Sequence, residues 1–413
     1  MKKYKPKIVA VTGSVGKTSA KDAIAAVLDK NFRVRKSKKS YNSEIGVPLA
    51  VLDCETGWLN PFKWVANILK GVKLILFGKN YPEWLVLELG VERPKDMENL
   101  VSWLNPHIAV ITALAEIPSH VEFFSGPEAL IREKAKILKN LKADDFAVLC
   151  SDDDAVFDLR DKTKAQISTF GFGADADLVA SGYRVISLIG GEERPEGIGF
   201  KVDVDGSSLP VRIFNAFGRH HVYPILAAMA VGRIAGLNLI EMAESLSKYE
   251  SPPGRLKLIK GVKGSFVLDD TYNSSPIALK AALDTLRDLS AKRKIAVLGD
   301  MLELGKYTID AHKSMAEYII DAGVDIVFVV GPRARFIAEG LREKNFKKEN
   351  IFEFSTADEA QKHVEETIGG GDVILVKGSQ SMRMERIVEE IMAEPERAGE
   401  LLVRQEQAWQ NKQ

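Results

Sequence analysis

The chain has 413 residues, which is too long for one compact core and predicts two or three domains. Hydrophobic residues make up 46% of it, and 57 basic residues balance 57 acidic ones, so no net charge favours binding to nucleic acid. Two cysteines, Cys54 and Cys150, stand far apart without a metal-ligand pattern, which argues against a zinc site or disulfide framework and for a reducing, cytoplasmic compartment.

The first half of the chain alternates short apolar runs with amphipathic segments, which is typical of an α/β protein with mostly parallel sheets. The predicted buried strands are KIVAVT (7–12), WLVLEL (84–89), HIAVIT (107–112) and FAVLC (146–150). The predicted helices are SAKDAIAAVLDK (19–30), PEALIREKAKILKNL (127–141), about 222–236 and about 239–249. Between about 166 and 215, alternating residues and glycine turns predict a small antiparallel extension.

The segment 58–84 is unusual because it is both apolar and basic. On a helical wheel, one face carries Phe62, Val65, Ile68, Leu69, Val72, Ile75 and Leu76, and the opposite face carries Lys63, Asn67, Lys70 and Lys73. Such a helix is too short and too charged to span a bilayer. We favour a surface helix docked on its own domain; the alternative is an interfacial helix at 58–77 that contacts a membrane or a lipid-linked substrate.

The motif KYESPPGRLK (248–257) follows a predicted helix with two prolines and a glycine, which marks a domain boundary. We therefore predict a first domain at 1–250, a second at 251–393 and a polar helical tail at 394–413. The second α/β series consists of GSFVLDD, a helix from Pro276, KIAVLGD, a helix at about 309–321, DIVFVVG, IFEFS, DVILVKG and a helix from about 381.

The stretch TGSVGKTS (12–19) has the features of a phosphate-binding loop, although Val11 stands where the longer GxxxxGK[ST] pattern has its first glycine. Gly13 and Gly16 let backbone N–H groups face a phosphate, and the helix that follows adds its positive end. Lys17 can reach a terminal phosphate and Thr18 can hold Mg²⁺. The alternative is an ordinary strand-to-helix turn with a solvated lysine.

Further candidates follow strands or begin helices. They are Glu88, Glu116, His120, Glu122, Lys134, Lys136, the cluster GRHH (218–221), Arg255, Asp269 and Asp270. A carboxylate at the end of a buried strand lies where ligands of parallel sheets bind, and burial is costly unless a metal or cation pairs with it. Taken singly, each residue also fits a structural role, such as a helix cap, a salt bridge or a solvated helix face.

The order of these motifs is more specific than any one of them. The chain contains TGSVGKTS, YNSEIGVPLAVL, LVLELGVERPKDMENL, PHIAVIT, HVEFFSGPEALIREKAKIL, GRHHVYPILAAMAV, PPGRL, DDTYNSSP, VLGDMLELG and VILVKGSQSMRMERIV. Together they resemble the Mur ligase family, most closely its members that add D-alanyl-D-alanine, over nearly the whole chain to about residue 392. The resemblance implies a P-loop ATPase domain with a mostly parallel sheet, followed by a Rossmann-like C-terminal α/β domain.

The resemblance also implies an activity, namely ATP-dependent amide bond formation through an acyl phosphate, in the synthesis of a peptidoglycan precursor or a related polymer. Gly13, Ser14, Gly16, Lys17, Thr18 and Ser19 would bind the ATP phosphates, and His221, Arg255 and Asp270 would bind the rest of the nucleotide. Two Mg²⁺ ions are implied, with Thr18 and Glu88 at the first and His120 at the second. Lys134, rather than Lys136, matches the lysine that this family carbamylates to fix the second ion, so Lys17, Lys134 and His120 are the implied catalytic residues.

Members that use UDP-linked acceptors carry an N-terminal UDP-binding domain, and this sequence starts at the P-loop strand, so we expect that domain to be lacking. A partner protein could then supply acceptor binding, or a lipid-linked acceptor could approach the 58–77 helix. Two other functions stay open, a non-catalytic nucleotide-binding regulatory or scaffold protein and a folylpolyglutamate- or poly-γ-glutamate-type ligase.

Overall fold

The structure is a computed structural model that describes residues 1–38, 41–58, 60–188, 194–406 and 409. Within these residues the chain forms two β-sheets, each with helices packed on it. The strands of the first sheet are β1 (Lys7–Thr12), β2 (Val34–Lys36), β3 (Trp84–Glu88), β4 (Ile108–Ile111), β5 (Phe146–Cys150), β6 (Gln166–Gly171), β7 (Leu178–Leu188), β8 (Arg194–Val204) and β9 (Ser207–Phe214). Its helices are α1 (Lys17–Leu28), α2 (Gly46–Leu52), α3 (Pro61–Phe77), α4 (Asp96–Leu104), α5 (Pro127–Ala135), α6 (Asp154–Phe157), α7 (Val222–Ile234) and α8 (Leu239–Ser247).

The first sheet has the strand order β2-β3-β1-β4-β5-β6-β7-β8-β9. Its strands are parallel from β2 to β7, whereas β7, β8 and β9 pair antiparallel, as the glycine-rich sequence predicted. Strand β1 lies between β3 and β4, and Val11 pairs with Glu88. The loop after β1 therefore begins beside Glu88, at the carboxyl edge where ligands of parallel sheets bind.

The second sheet has the order β10-β11-β15-β12-β13-β14, and β10 is its antiparallel edge strand. Its strands are β10 (Lys257–Lys260), β11 (Phe266–Asp270), β12 (Arg293–Gly299), β13 (Ile326–Val330), β14 (Ile351–Phe354) and β15 (Asp372–Lys377). Its helices are α9 (Pro276–Asp288), α10 (Thr308–Asp321), α11 (Arg335–Glu343), α12 (Ala357–Thr367), α13 (Glu385–Ile391) and α14 (Ala398–Leu401). The predicted α/β fold is confirmed, because buried β-branched runs form the parallel strands of both sheets.

Helix α3 lies on its own domain, but not through its apolar face. The side chains of Phe62, Val65, Ile68, Leu69, Val72, Ile75, Leu76 and Phe77 are 46% to 82% exposed. The contacts with the domain come from the other side, where Asn67 donates to the Glu55 carbonyl at 2.7 Å, Lys70 donates to that of Asp53, and Gly71 is buried. These contacts agree with the favoured interpretation of a surface helix docked on its own domain, but the docked side is the polar one and the apolar face stays exposed.

The C-terminal tail is helical only in part. A 3₁₀ turn at Pro395–Arg397 leads into α14, which ends at Leu401, and residues 407–408 and 410–413 lie outside the described part of the chain. Arg404 is buried, where it pairs with Glu385 at 2.7 Å and donates to the Thr271 and Tyr272 carbonyls. The predicted polar helical tail is thus corrected after Leu401, because these buried polar contacts require an irregular backbone.

Candidate active site

The loop Gly13–Gly16 joins β1 to α1 in a conformation that needs glycine at two positions. Gly13 has φ +149°, and a Cβ there would meet Thr112 Oγ1 at 2.1 Å, while Gly16 has φ +79°. Ser14 N donates to the Ala113 carbonyl at 2.6 Å, and Thr112 Oγ1 donates to the Val15 carbonyl at 2.5 Å. The loop is therefore held against the end of β4, with its backbone close to Thr112 and Ala113.

Lys17 starts α1 and folds back over this loop. Its Nζ donates to the Gly13 carbonyl at 2.9 Å and to the Ser14 carbonyl at 3.2 Å. Burial lowers the pKa of Lys17, with the Glu88 carboxylate opposing the shift and Arg255 adding to it. The ammonium group lies in a loop whose N–H groups also favour an anion, which fits the predicted phosphate-binding role.

Thr18 and Glu88, which the family resemblance placed at the same Mg²⁺ ion, are in direct contact. Thr18 Oγ1 donates to Glu88 Oε2 at 2.9 Å, and Asn42 Nδ2 donates to Glu88 Oε1 at 3.0 Å. Glu88 is only 2% exposed, and Arg255 reaches Thr18 Oγ1 at 3.4 Å. A hydroxyl and a carboxylate at a phosphate loop form a donor set that suits Mg²⁺.

Lys134 is buried at the end of α5, with 5% of its surface exposed. Its Nζ donates to Ser14 Oγ at 3.1 Å, so Lys134 joins the phosphate loop directly. Burial and the nearby charge of Lys17 place the pKa of Lys134 well below its ordinary value. Lys136 instead pairs at the surface with Glu98 at 2.8 Å and Glu133 at 2.9 Å.

His120 contacts the second half of the chain. Its Nδ1 lies 2.8 Å from Glu303 Oε2, and this hydrogen bond holds the pKa of Glu303 below its usual range. Glu303 belongs to the GDMLELG motif. In the part of the chain that the structure describes, no three His, Cys, Asp or Glu side chains converge to hold a metal ion. The predicted first Mg²⁺ site uses one hydroxyl and one carboxylate, which leaves the other positions to phosphate oxygens and water.

A cleft of about 410 Å³ lies between the two sheet domains, in front of the phosphate loop. Predicted nucleotide-binding residues that line it are Gly16, Thr18, Ser19, His221, Arg255 and Asp270. Residues that the sequence did not single out include Asp152, Tyr223, Lys280 and Lys377. The other predicted site residues, which are Gly13, Ser14, Lys17, Glu88, His120 and Lys134, do not line this cleft.

Two buried polar atoms in the cleft lack a hydrogen-bond partner among the described residues, His221 Nε2 and Arg255 Nε. Burial lowers the pKa of His221 to about 4, so its imidazole is neutral at pH 7 and can donate or accept one hydrogen bond at Nε2. Buried polar groups are normally paired. These two atoms fit a polar ligand in the cleft, such as the base or ribose of a nucleotide.

Asp270 ends β11 and is paired with a residue that sequence reasoning missed. Lys377 ends β15, and its Nζ donates to Asp270 Oδ2 at 2.6 Å and to the Asn273 carbonyl at 2.8 Å. Burial raises the pKa of Asp270, and Lys377 opposes that rise. The sequence signal for Lys377 was a lysine directly after the apolar run VILV, at a strand end that faces the same edge as Asp270.

Comparisons with known proteins show the family of this chain. The Mur ligase middle domain matches residues 11–232, and the Mur ligase glutamate ligase domain matches residues 254–380. The chain belongs to the Mur ligase family. It is 31% identical to the UDP-N-acetylmuramoyl-tripeptide--D-alanyl-D-alanine ligase of Bacillus subtilis (strain 168), over 94% of this chain and 76% of that protein.

Solved structures of Mur ligases have the same fold. The MurF ligase of Thermotoga maritima in complex with ADP is 26% identical and has a TM-score of 0.75, over 94% of this chain and 80% of that one. MurF of Acinetobacter baumannii has a TM-score of 0.77 at 23% identity, over 94% of this chain and 77% of that one. The predicted family and the predicted class of enzyme, an ATP-dependent amide-forming ligase, are thus confirmed.

Proposed function

We propose that this Mur ligase uses ATP to join the carboxylate of a peptide acceptor to a D-Ala-D-Ala-like amine, in the synthesis of a peptidoglycan precursor or a related polymer. The observation that carries the proposal is the phosphate loop beside the cleft between the two domains: Lys17 contacts the loop, and Thr18, which lines the cleft, is paired with Glu88. The proposed amine follows from the similarity to the D-alanyl-D-alanine ligase of Bacillus subtilis.

The proposed reaction has two steps. An acceptor carboxylate oxygen attacks the γ-phosphorus of ATP, and the bond to the β–γ bridging oxygen breaks to release ADP. The amine nitrogen then attacks the acyl phosphate carbon, loses a proton, and displaces phosphate as the amide forms. Because the first step brings anions together, Lys17 and the loop N–H groups would stabilise the transferred phosphoryl group.

Mg²⁺ fits the Thr18–Glu88 pair, and a second Mg²⁺ at His120 and a carbamylated Lys134 is part of the proposal. Bound Mg²⁺ would neutralise charge on the phosphate oxygens. His221, Arg255 and Asp270 would hold the nucleoside part of ATP, because all three line the cleft and two of them have unpaired buried atoms.

Carbamylation of Lys134 is supported by its surroundings. Carbon dioxide reacts with a neutral amine, and both burial and the Lys17 charge favour the neutral form of Lys134. The reaction forms an N–C bond, breaks one N–H bond whose proton is released, and converts a buried neutral amine into an anionic carbamate. That anion would lie beside Lys17 and the phosphate loop, where a negative group is favoured and from where it could hold the second Mg²⁺.

Replacing Lys134 with alanine is expected to lower ligase turnover by roughly 10²-fold or more, because a charged group next to the transferred phosphate is lost. Short carboxylic acids such as formate or acetate should restore part of the activity of Lys134→Ala. Lys136→Ala is the matched control, since Lys136 lies two positions away at the surface. The turnover of this variant should stay near the wild-type value with or without added formate or acetate. An equal loss in both variants, or no rescue of Lys134→Ala, would contradict the carbamate.

The proposed function is tested by a phosphate-release screen of the full chain with ATP, Mg²⁺, candidate peptide carboxylates and amines that include D-Ala-D-Ala. We expect phosphate release that requires both an acceptor and an amine, together with the amide product by mass spectrometry. Release with folate or glutamate acceptors alone would favour the folylpolyglutamate- or poly-γ-glutamate-type ligase. Tight ATP binding without release from any pair would favour the regulatory or scaffold protein.

How the acceptor is delivered is also part of the proposal. A partner protein that supplies acceptor binding and a lipid anchor on the acceptor are the two routes considered. The exposed apolar face of α3 supports the second route, since it gives the chain a surface suited to lipid.

A further inference from the structure

The exposed face of α3 is an apolar strip on one side of the molecule. Its eight large side chains run from Phe62 to Phe77, along a helix about 25 Å long. Soluble monomers rarely expose a contiguous apolar surface of this kind, and such surfaces mark sites of interaction. Among the described helices, none is long and apolar enough to cross a bilayer.

The strip is held outward by the contacts on the opposite side of α3. Asn67, Lys70 and Gly71 fix the middle of the helix to the segment 52–55. At its C-terminal end, Tyr4 donates to the carbonyls of Leu74 and Gly78, and Lys3 donates to that of Ile75. The helix cannot turn its apolar side inward without breaking these contacts, so the orientation of the strip is built into the domain.

The segment that forms the strip carries only positive charge, although one of its lysines, Lys70, already pairs with Asp53 at 3.9 Å on the anchored side of the helix. The segment 58–79 contains Lys63, Lys70, Lys73 and Lys79 and no Asp or Glu, and the attached N-terminal segment adds Lys2, Lys3 and Lys5. The chain as a whole has a net charge of zero, so this basic surface is a local concentration. An apolar helix face with flanking lysines has the two features that bind anionic membrane surfaces, apolar insertion and attraction to lipid headgroups.

A second copy of the chain is a poorer occupant. In a symmetric pair, the same α3 surface would face itself and bring both sets of lysines together, with no carboxylate in 58–79 to balance them. Anionic lipid supplies that balance.

We propose that the α3 strip and its lysines dock this enzyme on the surface of a bilayer that contains anionic phospholipid. The helix lies in the plane of the headgroups, with its apolar side chains inserted and with Lys63 and Lys73 extended to the phosphates. Asn42, which contacts Glu88, precedes α2, and the residues 52–55 that hold α3 follow α2. Only one short helix therefore separates a residue of the active site from the segment that anchors α3. Docking would bring the domain that carries the site to the membrane surface, where a lipid-linked acceptor would be found; the use of such an acceptor rests on the proposed function.

The test is flotation of the full chain with phosphatidylcholine vesicles that contain or lack phosphatidylglycerol. We expect wild type to float with the anionic vesicles, and a rise from about 0.05 M to about 0.5 M salt to weaken binding severalfold, since salt screens the lysines. The variant Ile68→Ser/Leu69→Ser/Leu76→Ser should lose at least about tenfold in vesicle affinity, because it removes inserted apolar groups that are already exposed in the fold. Lys63→Glu/Lys73→Glu should lose binding to anionic vesicles in the same way.

Matched controls separate this inference from the proposed activity and from loss of folding. Ile240→Ser removes an equally exposed apolar side chain on α8, 60% exposed, and should float as wild type does. Lys17→Ala should also float normally, since docking does not depend on ATP chemistry. The triple serine variant should keep its thermal unfolding temperature and its phosphate release with a soluble acceptor.

Two results would overturn the proposal. One is failure of wild type to float with vesicles of either composition. The other is flotation of the triple serine variant at the wild-type level. If sedimentation showed a wild-type dimer that the triple variant abolishes, without vesicle binding, the occupant would be a second copy and lipid docking would be rejected.

Discussion

Replacing Lys17 with alanine is expected to lower kcat for acceptor-dependent phosphate release by roughly 10²- to 10³-fold, the usual cost of removing one group that stabilises developing charge. The physical reason is that Lys17 Nζ, 2.9 Å from the Gly13 carbonyl, is the cation held within the loop that would carry the phosphates. The measurement is steady-state phosphate release with saturating ATP and acceptor.

The fold should survive this substitution. Lys17 donates only to carbonyls of its own loop, and burial lowers its pKa. When Lys17 is removed, the buried Glu88 carboxylate still accepts hydrogen bonds from Thr18 and Asn42. Lys344→Ala, an exposed lysine far along the chain on the second domain, is the matched control and should keep wild-type turnover. Turnover of Lys17→Ala within threefold of wild type would reject the loop as the phosphate site.

Most strands of both sheets could be predicted from the sequence because they are short apolar runs between turn signals. KIVAVT and FAVLC occupy the predicted residues, and most of their side chains are buried in the parallel sheet. Strands β2 and β10 were not predicted, because each is short and partly polar. Bounds of helices were less certain. The predicted helix 127–141 stops at Ala135 and continues only as a 3₁₀ turn to Leu138, with Lys136 drawn to Glu98 and Glu133.

The candidate site could be predicted where its parts share a sheet edge. Thr18 and Glu88 follow neighbouring parallel strands, so their contact follows from topology. Asn42 and Lys377 were not predicted, because each reaches its partner through pairing of distant segments, Asn42 across 46 residues and Lys377 across 107. His120 contacts Glu303 across the two domains, which no local pattern encodes.

The apolar face of α3 shows a different limit of sequence reasoning. A helical wheel shows which residues share a face, but it does not show what that face contacts. The outward orientation depends on single polar contacts, such as Asn67 with the Glu55 carbonyl, and on the small Gly71 against Leu52. Arg404 was missed for a related reason, because a polar tail gave no sign that one arginine would be buried against Glu385.

Replacing Lys377 with methionine is expected to lower the free energy of unfolding by about 3–5 kcal/mol, the usual cost of leaving one member of a buried ion pair alone. Lys377 and Asp270 are both buried, and their side chains form an ion pair at 2.6 Å. A second buried carboxyl group, Asp269, directly precedes Asp270 in the chain. Without Lys377, burial raises the pKa of Asp270 further. A carboxyl group whose folded-state pKa is raised contributes stability at low pH that is lost as the pH rises through that pKa, so the variant should lose more stability relative to wild type at high pH than at low pH.

Urea unfolding at pH 5 and pH 8 measures this difference in stability. The control is Lys292→Met, because Lys292 is an exposed lysine of the same domain, directly before β12. The double variant Lys377→Met/Asp270→Asn should recover part of the lost stability, since it removes the unpaired charge. The double variant should nevertheless bind ATP more weakly than wild type, because Asp270 lines the cleft where the nucleotide would bind. Equal destabilisation of the single and double variants at both pH values would mean that Lys377 acts through packing alone, and the assignment of the pair as an electrostatic unit would fail.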